Sequence, residues 1–171
     1  MFFDKLFAKK ECKERISWNS QQRIQRRKEN HRVAGMSYRK SEIKSLAFEA
    51  DEWSWPARDL KEFSIPGERV YQYNFPQKEV ELVPDPDNEH DKNAIKVIVG
   101  GVHIGFIKKG STGRVRNLMQ EHNGKATIEI KGGKYKQVVE DYETLKKTIE
   151  RGEESFHATI TITYDHEEEA K

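Results

Sequence analysis

The run Ala94-Ile-Lys-Val-Ile-Val99, then Gly100-Gly101, then Val102-His-Ile-Gly-Phe-Ile107, constrains the fold more than any other part of this chain. Two apolar, β-rich segments separated by paired glycines predict a tight antiparallel hairpin, because glycine supplies the positive φ angles of a two-residue turn at no steric cost. A turn of fixed length fixes the register. The same texture recurs at Arg32 to Tyr38, Arg69 to Phe75, Glu79 to Pro84, Ala126 to Lys131 and Phe156 to Tyr164, giving seven short strands in all. Pro76-Gln77 is expected to join two of them, 69–75 and 79–84, in a second hairpin.

Three helices are expected between the strands. Ser41 can cap one with Ile43, Leu46 and Ala47 on a single face. Ser111 can cap another, with Val115, Leu118 and Met119 inward and a stop at Asn123-Gly124. Tyr142, Leu145 and Ile149 mark a third that ends at Gly152. A loop carrying Trp53 and Trp55 closes at the Pro66-Gly67 turn, where the rings are expected to cover one end of the core rather than to stack on a ligand. Strands without regular strand–helix alternation point to a mainly β fold with inserted helices, a barrel or curled antiparallel sheet, and not to a parallel α/β fold.

At 171 residues the chain has room for one domain of ordinary size and a tail. Residues 2 to 29 contain no Gly or Pro and place Phe3, Leu6, Phe7, Ile16 and Ile24 at loosely helical spacing. They predict a basic, helical or partly disordered arm over residues 1–30, before a β domain at 31–165 and an acidic tail at 166–171. Charge follows that division: residues 1 to 32 hold ten Lys or Arg against four acids, a net +6, so with +2 overall the remainder carries about −4. A basic arm on a mildly acidic body suits phosphate contact, and equally suits a solvated tail. Lysines and an aspartate interrupt the first residues too early for a secretory signal, and no apolar run approaches the roughly 20 residues of a membrane span. A single cysteine, Cys12, allows no internal disulfide. A cytoplasmic, monomeric protein without cofactor or metal is the expectation.

The segment that carries the chemistry is Val83-Pro-Asp-Pro-Asp-Asn-Glu-His-Asp-Lys-Asn-Ala-Ile-Lys-Val97, which sets four acids just before an apolar strand. Asp91, Asn93, Ala94, Ile95, Val97 and, after the glycine turn, Gly105 fill an Asp-x-Asn-Ala-Ile-x-Val…Gly pattern that resembles the HIRAN domain. Val33-Ala-Gly-Met-Ser-Tyr38 looks like that family's first strand, and the resemblance spans about residues 31 to 165. It implies an OB-like or SH3-like barrel whose groove holds the 3′ end of single-stranded DNA. By position, Tyr38 would be the ring that stacks on a base and Asp91 the acceptor of the terminal hydroxyl. His90 stands where helicase-linked members have Tyr, Phe106 where one has His, and Ser37 where an Arg is found, with Arg39 next to it as a substitute.

Physical logic supports an acid in such a groove. A carboxylate repels phosphates, so Asp91 makes sense there only if it faces a donor, and a free 3′-hydroxyl is one. Tyr38 or Phe106 could stack on bases without reading sequence. Lys92, Lys108 and Lys109 would pair with phosphates, and His90, Asn93 and Arg39 complete the candidate DNA-binding set. Plainer roles stand beside these: Asp91 and Asn93 can satisfy backbone amides in a turn, and Tyr38 can be buried. The implied function is a non-enzymatic DNA-binding module of repair or replication, accompanying a helicase or nuclease. A peptide-binding barrel is the rival reading, and a metal-dependent nuclease ranks third. Asp85-x-Asp87-x-Glu89 lacks the Gly of a calcium loop and has Lys96 where its bidentate Glu belongs. Lys108-Lys-Gly-Ser-Thr-Gly113 lacks the order of a phosphate loop, and the six His residues are scattered.

Overall fold

The computed structural model describes residues 23–168. Most of the expected arm, Cys12 included, lies outside them, as do residues 169–171. A seven-stranded antiparallel sheet runs in the order β3-β8-β9-β1-β7-β6-β5, with a two-stranded β2-β4 ribbon beside it. Its strands are β1 (Arg23–Ala34), β3 (Arg69–Tyr71), β5 (Glu81–Pro84), β6 (Ile95–Val99), β7 (Val102–Ile107), β8 (Lys125–Glu140) and β9 (Lys147–Glu168). The ribbon pairs β2 (Phe48–Glu49) with β4 (Tyr73–Asn74). Three helices, α1 (Lys40–Ser45), α2 (Ala57–Phe63) and α3 (Thr112–Glu121), are inserted.

The sheet curls into an OB-like barrel that is not fully closed. Its open side is crossed by one bridge, Glu79 to Thr127, and by Ile128 N donating to Lys78 O at 2.9 Å. Inside sit Val97, Val99 and Ile104 of the glycine hairpin, Ile128 and Ile130 of β8, Ile160 and Ile162 of β9, and Val115 and Leu118 of α3. Ile43 of α1 is fully buried against them. The expected helix face at Val115 and Leu118 is therefore correct. Ser111 does precede α3, but its side chain makes no capping bond.

Five local expectations fail, for identifiable reasons. Residues 23–30, expected in a helical arm, are strand, since β1 pairs with β9 over ten residues from Arg23↔Glu168 to Arg32↔Thr159. Arg, Lys, Gln and Glu favour helix locally, but the Thr- and Ile-rich edge of β9 offers a continuous ladder of backbone partners. Strand also extends through residues 166–168 of the expected tail. The first strand stops at Ala34 rather than Tyr38, because Gly35 turns the chain at φ +78 into a 3-10 turn, Met36–Tyr38.

The hairpin expected at Pro76-Gln77 does not form. Residues 69–71 pair with β8, 73–74 with β2 and 81–84 with β6, and Phe75 is buried between them. The helix expected over 142–152 is instead the tip and return of a long β8–β9 hairpin. Asp141 accepts the amides of Glu143 and Thr144 at 3.0 and 2.9 Å, and Leu145 takes φ +55, which no helix tolerates. Tyr142 and Leu145, at helical spacing, are exposed there. One helix was unforeseen: α2 occupies the tryptophan loop. Trp53 lies under Lys136, whose Nζ is 4.5 Å from the ring centroid, and Trp55 meets Phe63 edge-on. Both rings are thus held by packing, on β8 and α2.

Candidate nucleic-acid interface

The glycine turn forms as the residue types demand, with φ +54 at Gly100 and +78 at Gly101. A regular two-residue hairpin would set Ile95 opposite Phe106 and turn that ring inward. The register shifts between Val97 and Ile98, so that Lys96 pairs with Phe106 and Val97 with Gly105. The bulge moves Phe106 to the outer face. Gly105 is required where it is: a Cβ there would lie 2.5 Å from Ala34 O and 2.7 Å from Val33 Cγ1.

Across the outer face, Val83, Lys96, Phe106 and Ala34 are successive cross-strand neighbours on β5, β6, β7 and β1. His103 meets the Phe106 ring edge-on at 4.8 Å, and its Nε2–H donates to Gly105 O at 2.8 Å. Arg39 lies over the same ring at 6.0 Å. Partial burial, and then the nearby Arg39 charge, hold His103 below the usual histidine range, so it is neutral at pH 7. Tyr38, beside Arg39 at the end of the 3-10 turn, is 90% exposed. Its burial, one of two expectations for it, is excluded.

The loop between β5 and β6 is held by a chain of polar contacts. Lys96 Nζ is 2.9 Å from Asp85 Oδ1, Asn88 Nδ2 donates to Asp85 Oδ2 at 3.2 Å, and Asn88 Oδ1 accepts the amides of His90 and Asp91, each at 3.0 Å. Bonds from Lys96 and then Asn88 keep the Asp85 carboxyl below its ordinary range. Asp91 Oδ1 accepts the Asn93 amide at 2.9 Å, so the turn-forming role is real. That bond fixes the carboxylate and uses one of its several acceptor positions. His90 and Lys92 are exposed on the loop, which is not strand.

Phe106 and Arg39 are thus brought together. The Asp91 loop and the Lys108-Lys109 turn leave the sheet at one end, where β5 and β7 finish and β6 begins. Among the described residues no hydrogen bond joins Tyr38 to Asp91, and Lys92, Lys108 and Lys109 make no cation–π contact with a ring. Sequence reasoning missed His103, Lys96, Asp85 and Asn88. The alternation of β6 could have put Lys96 on the outer face, but joining it to Phe106 required the bulge. Among the described residues no three His, Cys, Asp or Glu side chains converge to hold a metal, and no helix is long and apolar enough to cross a membrane.

A family model for the HIRAN domain matches residues 31–150, well over half the sequence. The chain belongs to the HIRAN family. HIRAN domains are DNA-binding domains and are not catalytic in themselves. The match contains every candidate residue from Tyr38 to Lys109, and leaves out the first part of β1 and most of β9. Among solved structures, the HIRAN domain of human HLTF is similar at 18% identity and a TM-score of 0.35, over 82% of this chain and 77% of that one. No curated protein matches the sequence.

Proposed function

We propose that this HIRAN domain binds single-stranded DNA at the outer end of β5, β6 and β7, and that it selects a free 3′-hydroxyl. The observation that carries the reading is Tyr38, a ring 90% exposed and next in sequence to Arg39, whose guanidinium lies over Phe106. An exposed aromatic followed by a cation that covers a second ring suits a base that stacks and a phosphate that follows it. Asp91 serves as hydroxyl acceptor: the Asn93 amide fixes one oxygen and leaves the other for a donor. A terminal phosphate there would meet a carboxylate, which is the source of end selection. Lys92, Lys108 and Lys109 supply phosphate contacts, while His90 and Asn93 shape the loop around the terminus. Recognition of an end rather than a sequence fits a module that brings a helicase or nuclease to its starting point in repair or replication.

Fluorescence anisotropy with one oligonucleotide in 3′-hydroxyl and 3′-phosphate forms tests this, because the change is on the ligand and leaves the fold untouched. The hydroxyl form is expected to bind about tenfold tighter, the equivalent of about 1.4 kcal/mol for one charge-assisted hydrogen bond. Equal affinities would overturn end selection. Asp91→Asn, which keeps an acceptor for the Asn93 amide, is expected to reduce the discrimination between the two forms without unfolding the loop.

A further inference from the structure

The outer face does not stop at Phe106. Beyond Ala34, β1 presents Arg32, Asn30, Lys28 and Arg26 in turn on the same exposed side, because strand side chains alternate with period two. Lys108 joins this line: its amide donates to Arg32 O at 3.2 Å, which continues the β1–β7 register one step past Val33↔Ile107. On the other flank Thr159 faces Arg32, Thr161 faces Asn30 and Thr163 faces Lys28. Lys125 of β8 lies across from Thr163.

Alignment on one strand face sets these cations apart, and several others in the sheet are taken up in ion pairs. Arg114 is bonded to Glu29, Arg69 to Glu154, Lys96 to Asp85 and Lys131 to Glu129. Arg26, at the far end of β1, is 3.7 Å from Asp165. Lys28, Arg32, Lys108 and Lys125 have no ion pair among the described residues. Three of them, with the hydroxyls of Thr159 and Thr163 beside them, form a line of donors that starts next to the Phe106 ring. From Arg32 to Lys28 it extends about 13 Å, four residues of strand. Unpaired cations interleaved with hydroxyls are the groups that hold phosphates without reading bases.

We propose that Lys28, Arg32 and Lys108 form a second subsite, a phosphate track along β1 that carries the single strand on its 5′ side after its last bases have engaged Tyr38 and Phe106. The proposal rests on the end-binding reading for where the strand begins, and adds its path and the length of DNA the domain covers. Arg32 and Lys108 lie inside the family match, while Lys28, Thr159, Thr161 and Thr163 lie outside it.

The test compares oligothymidylates of about 4 and about 16 nucleotides, the span of site sizes for domains of this architecture, each with a 3′-hydroxyl. The wild-type chain is expected to bind the longer strand more tightly. In the Lys28→Gln/Arg32→Gln variant that advantage disappears while the short strand binds as before, and the log–log salt slope for the long strand falls by about 1.4, or 0.7 for each lost phosphate contact. Retention of the length advantage and of the slope by the variant, with circular dichroism showing it folded, overturns the track. A Thr161→Val variant, on the same face but without a cation, should keep both. If the end-binding reading fails instead, the short strand shows no preference for a 3′-hydroxyl over a 3′-phosphate, yet the long strand still loses its slope in the variant.

Discussion

Two hairpins supply most of the sheet, and each departs once from regular pairing. In β6–β7 the irregularity lies between Val97 and Ile98, near the turn. In β8–β9 it lies mid-hairpin, between Lys131 and Gly133, where Gly132 takes φ +124. The first shift re-aims one ring. The second redirects a whole strand pair, so that residues 125–131 and 157–163 complete the barrel beside β1, while 134–140 and 147–153 continue as a hairpin whose β8 strand pairs with β3 at residues 135–137. A bulge beside loops prepares a surface for a ligand, and a bulge in a long ladder divides a sheet into two leaves.

That contrast can be broken experimentally, most severely at Gly132. A Cβ there would lie 2.7 Å from both Phe156 Cα and Ser155 O, at a φ that side chains rarely adopt. Gly132→Ala is expected to cost about 3 kcal/mol in urea unfolding, since neither backbone atom can give way. Next come the rings. Phe106→Ala and Tyr38→Ala should each weaken single-strand binding by about 1–3 kcal/mol in anisotropy titrations. Tyr38→Ala should leave stability within about 0.5 kcal/mol, as an exposed position does. Trp53→Ala probes the outer leaf: losing the Lys136 contact should cost about 1 kcal/mol of stability and leave DNA affinity unchanged. A loss of affinity in that variant would mean that the two leaves are not independent.

The smallest expected effect is on pH dependence. His31 is buried, and its Nε2 lies 3.3 Å from Glu29 Oε1 without the alignment of a hydrogen bond. Burial holds it below the ordinary 6.5, outweighing the Glu29 charge that raises it, and His103 is lowered as well. The unfolded chain therefore binds protons that the folded one refuses, so stability declines as pH falls below 6.5 toward the folded values. His31→Leu should flatten that decline in thermal melts between pH 6.5 and 5. An unchanged slope would assign it to His103.

How much of this was legible depends on where the deciding contact lies. The glycine turn, the α3 face and the Asp91-to-Gly105 run are local patterns, and they were read correctly. Tyr142 and Leu145 misled because helical spacing was outweighed by the Asp141 turn, two backbone bonds that no periodicity records. Arg23 to Asn30 misled because the partner that makes them strand lies about 140 residues away on β9. Phe106 was picked for the interface by resemblance alone. Its outward placement depends on a register shift, and Gly105 beside it, with no room for a Cβ, is the one sequence trace of that crowding.

β1 meets β7 at only two register positions, Val33↔Ile107 and Ala34↔Phe106, whereas it follows β9 for ten. The seam between the two halves of the barrel is thus short, and the proposed stacking ring sits on it. A strand clasped over Phe106 and Arg32 would act as a rivet across that seam. Amide hydrogen exchange at Ala34 and Ile107 should slow on DNA binding more than anywhere else in the sheet, making the junction a built-in reporter of occupancy.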